Sequence, residues 1–230
     1  MLDLHGYGWT ILEGAGVTVR AALASLAVAV GLGIAGALAR LSGVRMADSL
    51  VLGYTTLVRG VPDLVLMLLI FYGGQTFVNQ LGPLLGHEDY IDVNPFVAGV
   101  LTLGFIYGAY MTETFRGAIL AVPAGQLEAG HAFGMARGQV FRRILVPQMM
   151  RHALPGLGNN WLVLLKATAL MSVIGLDDML RKARLAAGAT REPFTFYLVV
   201  ALVFLALTIV STLLLSWAER RYSVGFARPK

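Results

Sequence analysis

No charged side chain occurs between Ala21 and Ala39. A helix needs about 20 apolar residues to cross the ~30 Å hydrocarbon core of a bilayer. Inside that core every backbone N–H and C=O must be satisfied within the protein, so such runs restrict a chain to membrane-spanning helices or closed barrels. Further runs extend from Leu64 through Phe77, Val93 to Thr112, Leu154 to Ile174 with Lys166 inside, and Phe194 to Trp217. The composition agrees, since 13% of residues are charged against about 25% in soluble domains. The expectation is an all-α integral membrane protein of one domain, residues 1–230. Its spans are placed near 16–40, 50–78, 93–116, 154–174 and 194–217.

Local punctuation refines these spans. Gly31, Gly33 and Gly36 lie among alanines in the first, where small residues let membrane helices approach closely. Gly60 and Pro62 precede the second apolar run, so this span is expected to begin broken, with Leu50 to Arg59 as a separate helical lead-in. No Lys or Arg precedes Arg20, so the basic start of a cleavable signal peptide is missing and the N-terminus is expected to be retained.

Lys and Arg favour cytoplasmic loops. Arg40 and Arg45 follow the first span, Arg116, Arg137, Arg142, Arg143 and Arg151 the third, and Arg220, Arg221, Arg228 and Lys230 the fifth. The connection with His87, Glu88, Asp89 and Asp92 has neither Lys nor Arg and belongs outside. The loop holding Arg181, Lys182, Arg184 and Arg191, offset by Asp177, Asp178 and Glu192, partly disagrees. The tally places the N-terminus outside and the C-terminus in the cytoplasm.

The net charge of +5 is explained by these span-flanking arginines, so nucleic acid is not an expected partner; the lipid bilayer is. Zero cysteines exclude disulfides and thiolate metal sites, and the four histidines are too dispersed for a metal cluster. No phosphate-binding loop pattern G-x-x-x-x-G-K-[ST] is present, so any ATP hydrolysis falls to another chain.

Between the third and fourth spans, residues 121–151 form a long, patterned loop. One short helix is expected over Leu127 to Ala129 and onward, terminated by Gly134, and another from Gln139 to Leu145 ending before Pro147. The pattern alone also suits an amphipathic hairpin on lipid headgroups. Glu128-Ala129-Gly130, three residues, Gly134, nine residues, Ile144, two residues and Pro147 resemble the EAA signature of ABC importer permeases. Gly130 stands where that signature has alanine, and Val146 replaces the usual leucine. The stretches TTLVRGVPDLVLMLLIFYGGQ, TLGFIYGAYMTETFRGAI, GNNWLVLLKATALMSVIGL and ERRYSVG are similar to polar amino acid permeases, above all the HisQ type of histidine and lysine/arginine/ornithine importers.

The resemblance implies a type I ABC importer transmembrane domain with about five helices and a coupling loop that docks on an ATPase. It also implies a HisM-type partner permease, giving a heterodimer, and a dimer of ATPase subunits. A periplasmic amino-acid-binding protein completes the assembly in the bacterial inner membrane. ATP and Mg would bind the ATPase; no cofactor is expected on this chain.

Charges within spans are costly and mark function by default. Asp63 can complement the start of a helix or supply negative potential on the path of a cationic amino acid. Glu113 and Arg116, at i and i+3, can neutralise each other, while Glu113 can also face a site. Lys166 can pair with Glu113 or another carboxylate, or with Asn160 can receive a substrate carboxylate. Tyr72, Tyr107, Tyr110 and Trp161 can line a passage or simply pack. A secondary transporter would call for inverted repeats and several broken helices, which the sequence does not show. A membrane enzyme would have to draw on Asp63, Glu113 and His152, which no motif joins.

Overall fold

The computed structural model describes residues 4–86 and 89–222, and among these it consists of helices joined by short connections, without strands. His87, Glu88, Arg228, Lys230 and the last residues of ERRYSVG lie outside the described residues. The long elements are α1 (Gly8–Leu41), α2 (Arg45–Gly60), α3 (Asp63–Leu81), α4 (Pro95–Leu120), α7 (Val146–Ala167) and α9 (Pro193–Tyr222). Shorter ones are α5 (Ala124–Ala132), α6 (Arg137–Val140) and α8 (Met179–Thr190).

Four helices, α1, α3, α4 and α9, are long and apolar enough to cross a membrane. The expected fourth span corresponds to α7, which starts at Val146, well before residue 154, and gives way to a 3₁₀ turn over Thr168–Ser172. Arg151, His152, Asn159, Asn160 and Lys166 make it more polar than the other four. It nevertheless packs between α4 and α9, with Gly156 against Thr114 and Gly158 against Leu215.

The core is the parallel pairing of α1 with α4. Every third or fourth residue of α1, from Thr18 through Ala22, Ser25, Ala29 and Gly33 to Gly36, is buried. A Cβ on Gly33 would lie 2.6 Å from Met111 Cβ, and one on Gly36 would collide with Thr112. Reciprocally, Gly104 and Gly108 of α4 receive Val28 and Leu32. Gly31, singled out in the sequence with these, has no neighbour at its Cβ position. It faces away from the seam.

The break before α3 falls where proline predicts it. Val61 and Pro62 are extended, with ψ of 138° and 136°, separating α2 from α3, although α2 starts at Arg45 rather than Leu50. At the far end of α3, Gln75 and Asn79 clamp the following loop. Their amides donate to the Ile91 carbonyl at 2.5 and 2.9 Å, and their side-chain oxygens accept from the N–H groups of Val93 and Ile91, both at 2.8 Å.

The loop before α9, expected to be only a charged connection, contains α8. Asp178 caps it, accepting from Arg181 N–H at 2.9 Å, and Met179 lies flush on Gly14 of α1. Lys182 donates to Glu13 at 2.7 Å, and Asp177 lies 3.9 Å from Lys182 and 4.0 Å from Arg181. Two of the four basic residues that disagreed with the charge tally, Arg181 and Lys182, are thus tied to carboxylates on their own side of the molecule.

Two predictions follow from this packing. Overpacking a tight interface costs about 1–3 kcal/mol, so Gly33→Leu should lower the melting temperature of the purified protein by several degrees while Gly31→Ala leaves it unchanged. Burial raises the Asp178 pKa from 3.8 to about 6. The docked carboxyl therefore binds its proton more tightly than the undocked one, and docking is strongest below about pH 4 and weakens as pH rises through about 6. Asp178→Asn preserves a good cap and should shrink the difference in melting temperature between pH 5 and pH 7.5.

Candidate functional site

Two regions gather the residues that the sequence singles out. The first lies midway along α4. Tyr107, near the centre of this 26-residue helix and 3% exposed, donates its hydroxyl to Asp63 Oδ2 at 3.1 Å. Asp63 occupies the first turn of α3 just after the Pro62 break, where a carboxylate complements the helix dipole. Its Oδ2 is engaged by the tyrosine hydroxyl.

One turn further along α4, Tyr110 carries the Arg59 guanidinium over its ring at 5.5 Å, a cation–π geometry. Glu113 follows, and both its oxygens are engaged. Arg40 donates to Oε1 at 2.6 Å and Arg116 to Oε2 at 3.1 Å, while Arg40 also binds Asp48 at 2.8 Å. The mutual neutralisation allowed by the i, i+3 spacing is realised, with Arg40 as a second partner drawn from the end of α1. The network joins α1, α2 and α4 and borders a cavity of about 620 Å³ that also touches Thr55, Arg59 and Tyr110.

Lys166 does not pair with Glu113. It is exposed, and among the described residues it has no hydrogen-bond or ion-pair partner. Asn160 donates to Thr114 Oγ1 at 3.1 Å, and Met171 lies against Gly99, so α7 runs antiparallel to α4. Six residues beyond Asn160, about 9 Å along a helix, Lys166 reaches the depth of Gly104 to Gly108. That is the level of Tyr107 and Asp63. The α-helix also ends there, at Ala167, so two interrupted helices meet one depth. The sequence showed only the break at Pro62.

Trp161, Tyr107 and Tyr110 pack against the core, whereas Tyr72 is 56% exposed.

The second region is the loop after α4. Its first helix, α5, ends in a Schellman arrangement: Gly134 N–H donates to the His131 carbonyl at 2.9 Å and Met135 N–H to the Gly130 carbonyl at 3.1 Å. Gly134 adopts φ of 77°, a conformation that glycine takes at least cost. Gly130 is buried beneath Ile144, whose Cδ1 lies 2.5 Å from where a Cβ would stand. The departure from alanine at this position is filled from the other side of the loop. Glu128 and Ala129 face outward, and so does Phe133, 89% exposed, a residue the sequence pattern did not flag.

The second helix departs from expectation. It starts at Arg137 and does not stop before Pro147, but continues through a wide π-type turn, Phe141–Leu145, into α7. Pro147 has no N–H to give and its ring crowds the carbonyl four residues back, so the helix widens just ahead of it rather than ending.

Apolar helices long enough to cross a membrane, bundled on the α1–α4 seam with a structured loop at one end, accord with the transmembrane subunit of a transporter. Residues 27–224 match the family described as binding-protein-dependent transport system inner membrane component. The chain belongs to that family, whose members are permease subunits of ABC importers rather than enzymes and work with ATPase and binding-protein partners. It is 56% identical over 225 residues to the histidine/lysine/arginine/ornithine transport system permease protein HisQ of Salmonella typhimurium, covering 98% of each chain. It is 39% identical over 223 residues to the octopine transport system permease protein OccQ of Rhizobium radiobacter, covering 97% of this chain and 94% of the relative. A crystal structure of an amino acid ABC transporter with histidines superposes with a TM-score of 0.79 at 32% identity, covering 94% of this chain and 95% of the other. The type I importer fold and a multi-pass place in the inner membrane accord with these likenesses.

The end of α5 can be tested directly. A β-branched residue at φ of 77° costs about 1–2 kcal/mol, so Gly134→Val should speed amide exchange at Phe133 and Met135 several-fold. Gly138→Ala, at an open position with ordinary backbone, should leave it unchanged.

Proposed function

We propose that this chain forms half of the path for cationic amino acids, histidine, arginine, lysine or ornithine, in an ABC importer. The observation that carries the reading is Lys166. An exposed ammonium at mid-membrane depth, unpaired among the described residues, is too costly to face lipid, so it faces a water-filled path or a partner subunit. At the same depth stands Asp63, its carboxylate held by Tyr107. A cationic amino acid presents one carboxylate and two cationic groups: Lys166, with Asn160 nearer the loop end of α7, suits the first, and Asp63 suits the side-chain cation. Glu113, with both oxygens engaged, serves instead to hold α1, α2 and α4 together. The names of the relatives, which include a histidine/lysine/arginine/ornithine permease, point to the same substrate class.

In this reading the second half of the path comes from a HisM-type permease. A pair of ATPase subunits, carrying ATP and Mg, docks on the loop through Glu128 and Ala129, with Phe133 as an added apolar anchor, while Gly130, Gly134, Ile144 and Pro147 give the loop its shape. The N-terminus lies in the periplasm and the loop and C-terminal end in the cytoplasm, consistent with the arginines near the loop. ATPase closure is transmitted through the loop to the helices, which alternate between two arrangements.

The test is ATP-driven uptake of labelled arginine and histidine into proteoliposomes holding the four kinds of subunit. A hydrogen bond to a charged group contributes about 1.5–3 kcal/mol, equivalent to tenfold or more. Asp63→Asn and Lys166→Gln should each reduce uptake about tenfold or more, with the ATPase still co-purifying. Unaltered uptake in Asp63→Asn would remove that residue from the path.

A further inference from the structure

A second cavity, of about 700 Å³, lies at the opposite end of the functional machinery from Asp63. Its wall is built from the end of α4 and start of α5 (Ala121, Pro123, Gln126), the start of α7 (Pro147, Gln148, Arg151, His152) and the last turn of α9 (Arg221, Tyr222). Three spans leave the membrane at this level, and Trp217, 63% exposed, marks the boundary as interfacial tryptophans do. The Arg221 guanidinium lies over its ring at 5.9 Å.

The lining has a pronounced chemical bias. Two guanidiniums and an imidazole face the cavity, joined by two amides and a phenol, and no carboxylate among the described residues lines it. The first turn of α5, which has no side-chain cap, opens on the same wall and adds the positive end of a helix dipole. Guanidiniums bind phosphate oxygens in pairs, and basic pockets between helix ends at a membrane surface suit anionic headgroups. Zwitterionic lipids also offer phosphate, but carry an ammonium that a basic wall repels.

We propose that this cavity holds the headgroup of an anionic phospholipid, with Arg151 and Arg221 on its phosphate. The lipid would join the base of the loop helix α5 to α7 and α9, so that the docking loop is fastened to the leaflet it adjoins. Only the identification of that leaflet as the cytoplasmic one rests on the permease reading above.

The full chain, with Trp9→Phe and Trp161→Phe so that Trp217 is the sole reporter, is placed in phosphatidylcholine vesicles. Brominated phosphatidylglycerol or brominated phosphatidylcholine is then titrated in. The anionic lipid should quench Trp217 at a mole fraction at least fivefold lower than the zwitterionic one. Arg151→Gln and Arg221→Gln should each lower that preference about fivefold, while Arg221→Lys retains most of it. Equal quenching by the two lipids, or a preference that neither glutamine variant changes, would overturn the proposal. Loss of the preference in 10 mM inorganic phosphate, but not in chloride of equal ionic strength, would also overturn it by assigning the cavity to free phosphate. These vesicles contain no partner subunit, so failure here is distinct from failure of the uptake experiment.

Discussion

The fold depends on how closely α1 and α4 approach. In hydrocarbon there is no hydrophobic gain from bringing two helices together, so the contact rests on van der Waals packing between small residues. Gly33 and Gly36 admit Met111 and Thr112, and Gly104 and Gly108 admit Val28 and Leu32. Because the two helices run parallel, this seam sets the depth of everything carried on α4. Tyr107, Tyr110 and Glu113 are displayed at successive turns beside it. Asp63 then reaches Tyr107 from α3, and Arg40 reaches Glu113 from the end of α1.

The molecule separates its charges by task. Glu113 has two arginines and no oxygen to spare, and it binds three helices together. Asp63 shares one oxygen with a buried phenol, and Lys166 among the described residues shares nothing. Under the proposed function the second kind serves recognition, since a fully satisfied carboxylate offers little to an arriving ligand. The charges beside the loop before α9 follow the first pattern: Glu13, Asp177 and Lys182 fasten α8 across the beginning of α1.

What was legible in the sequence was what local chemistry dictates. Pro62 announced the break before α3, Gly134 the end of α5, and long uncharged runs the apolar spans, because each signal lies within a few residues of its effect. α8 was missed because a short amphipathic helix rich in charge has no apolar run, and its clearest sign, Asp178 as a cap, looks like any acidic loop residue. The pairing of Glu113 with Arg40 joins residues 73 apart, and no local pattern carries that information. Lys166 was visible as a charge in a span, but its depth and lack of partner follow only from the antiparallel register of α7 on α4. At Pro147 the local rule was right about strain and wrong about its outcome, because a wider turn absorbed what was expected to end the helix.

The continuity from α6 through the π-type turn into α7 makes this stretch a lever arm. From Val146 to Lys166 the rod is about 30 Å long at 1.5 Å per residue, so a tilt of a few degrees at the docking loop displaces the Lys166 ammonium by an ångström or two. The arm is not uniformly stiff: Pro155, partway along, removes one rung of its hydrogen-bond ladder. Under the proposed function, a tilt imposed at the loop reaches Lys166 across this softened rung, so residue 155 sets how much of the motion arrives there and how much is lost in bending.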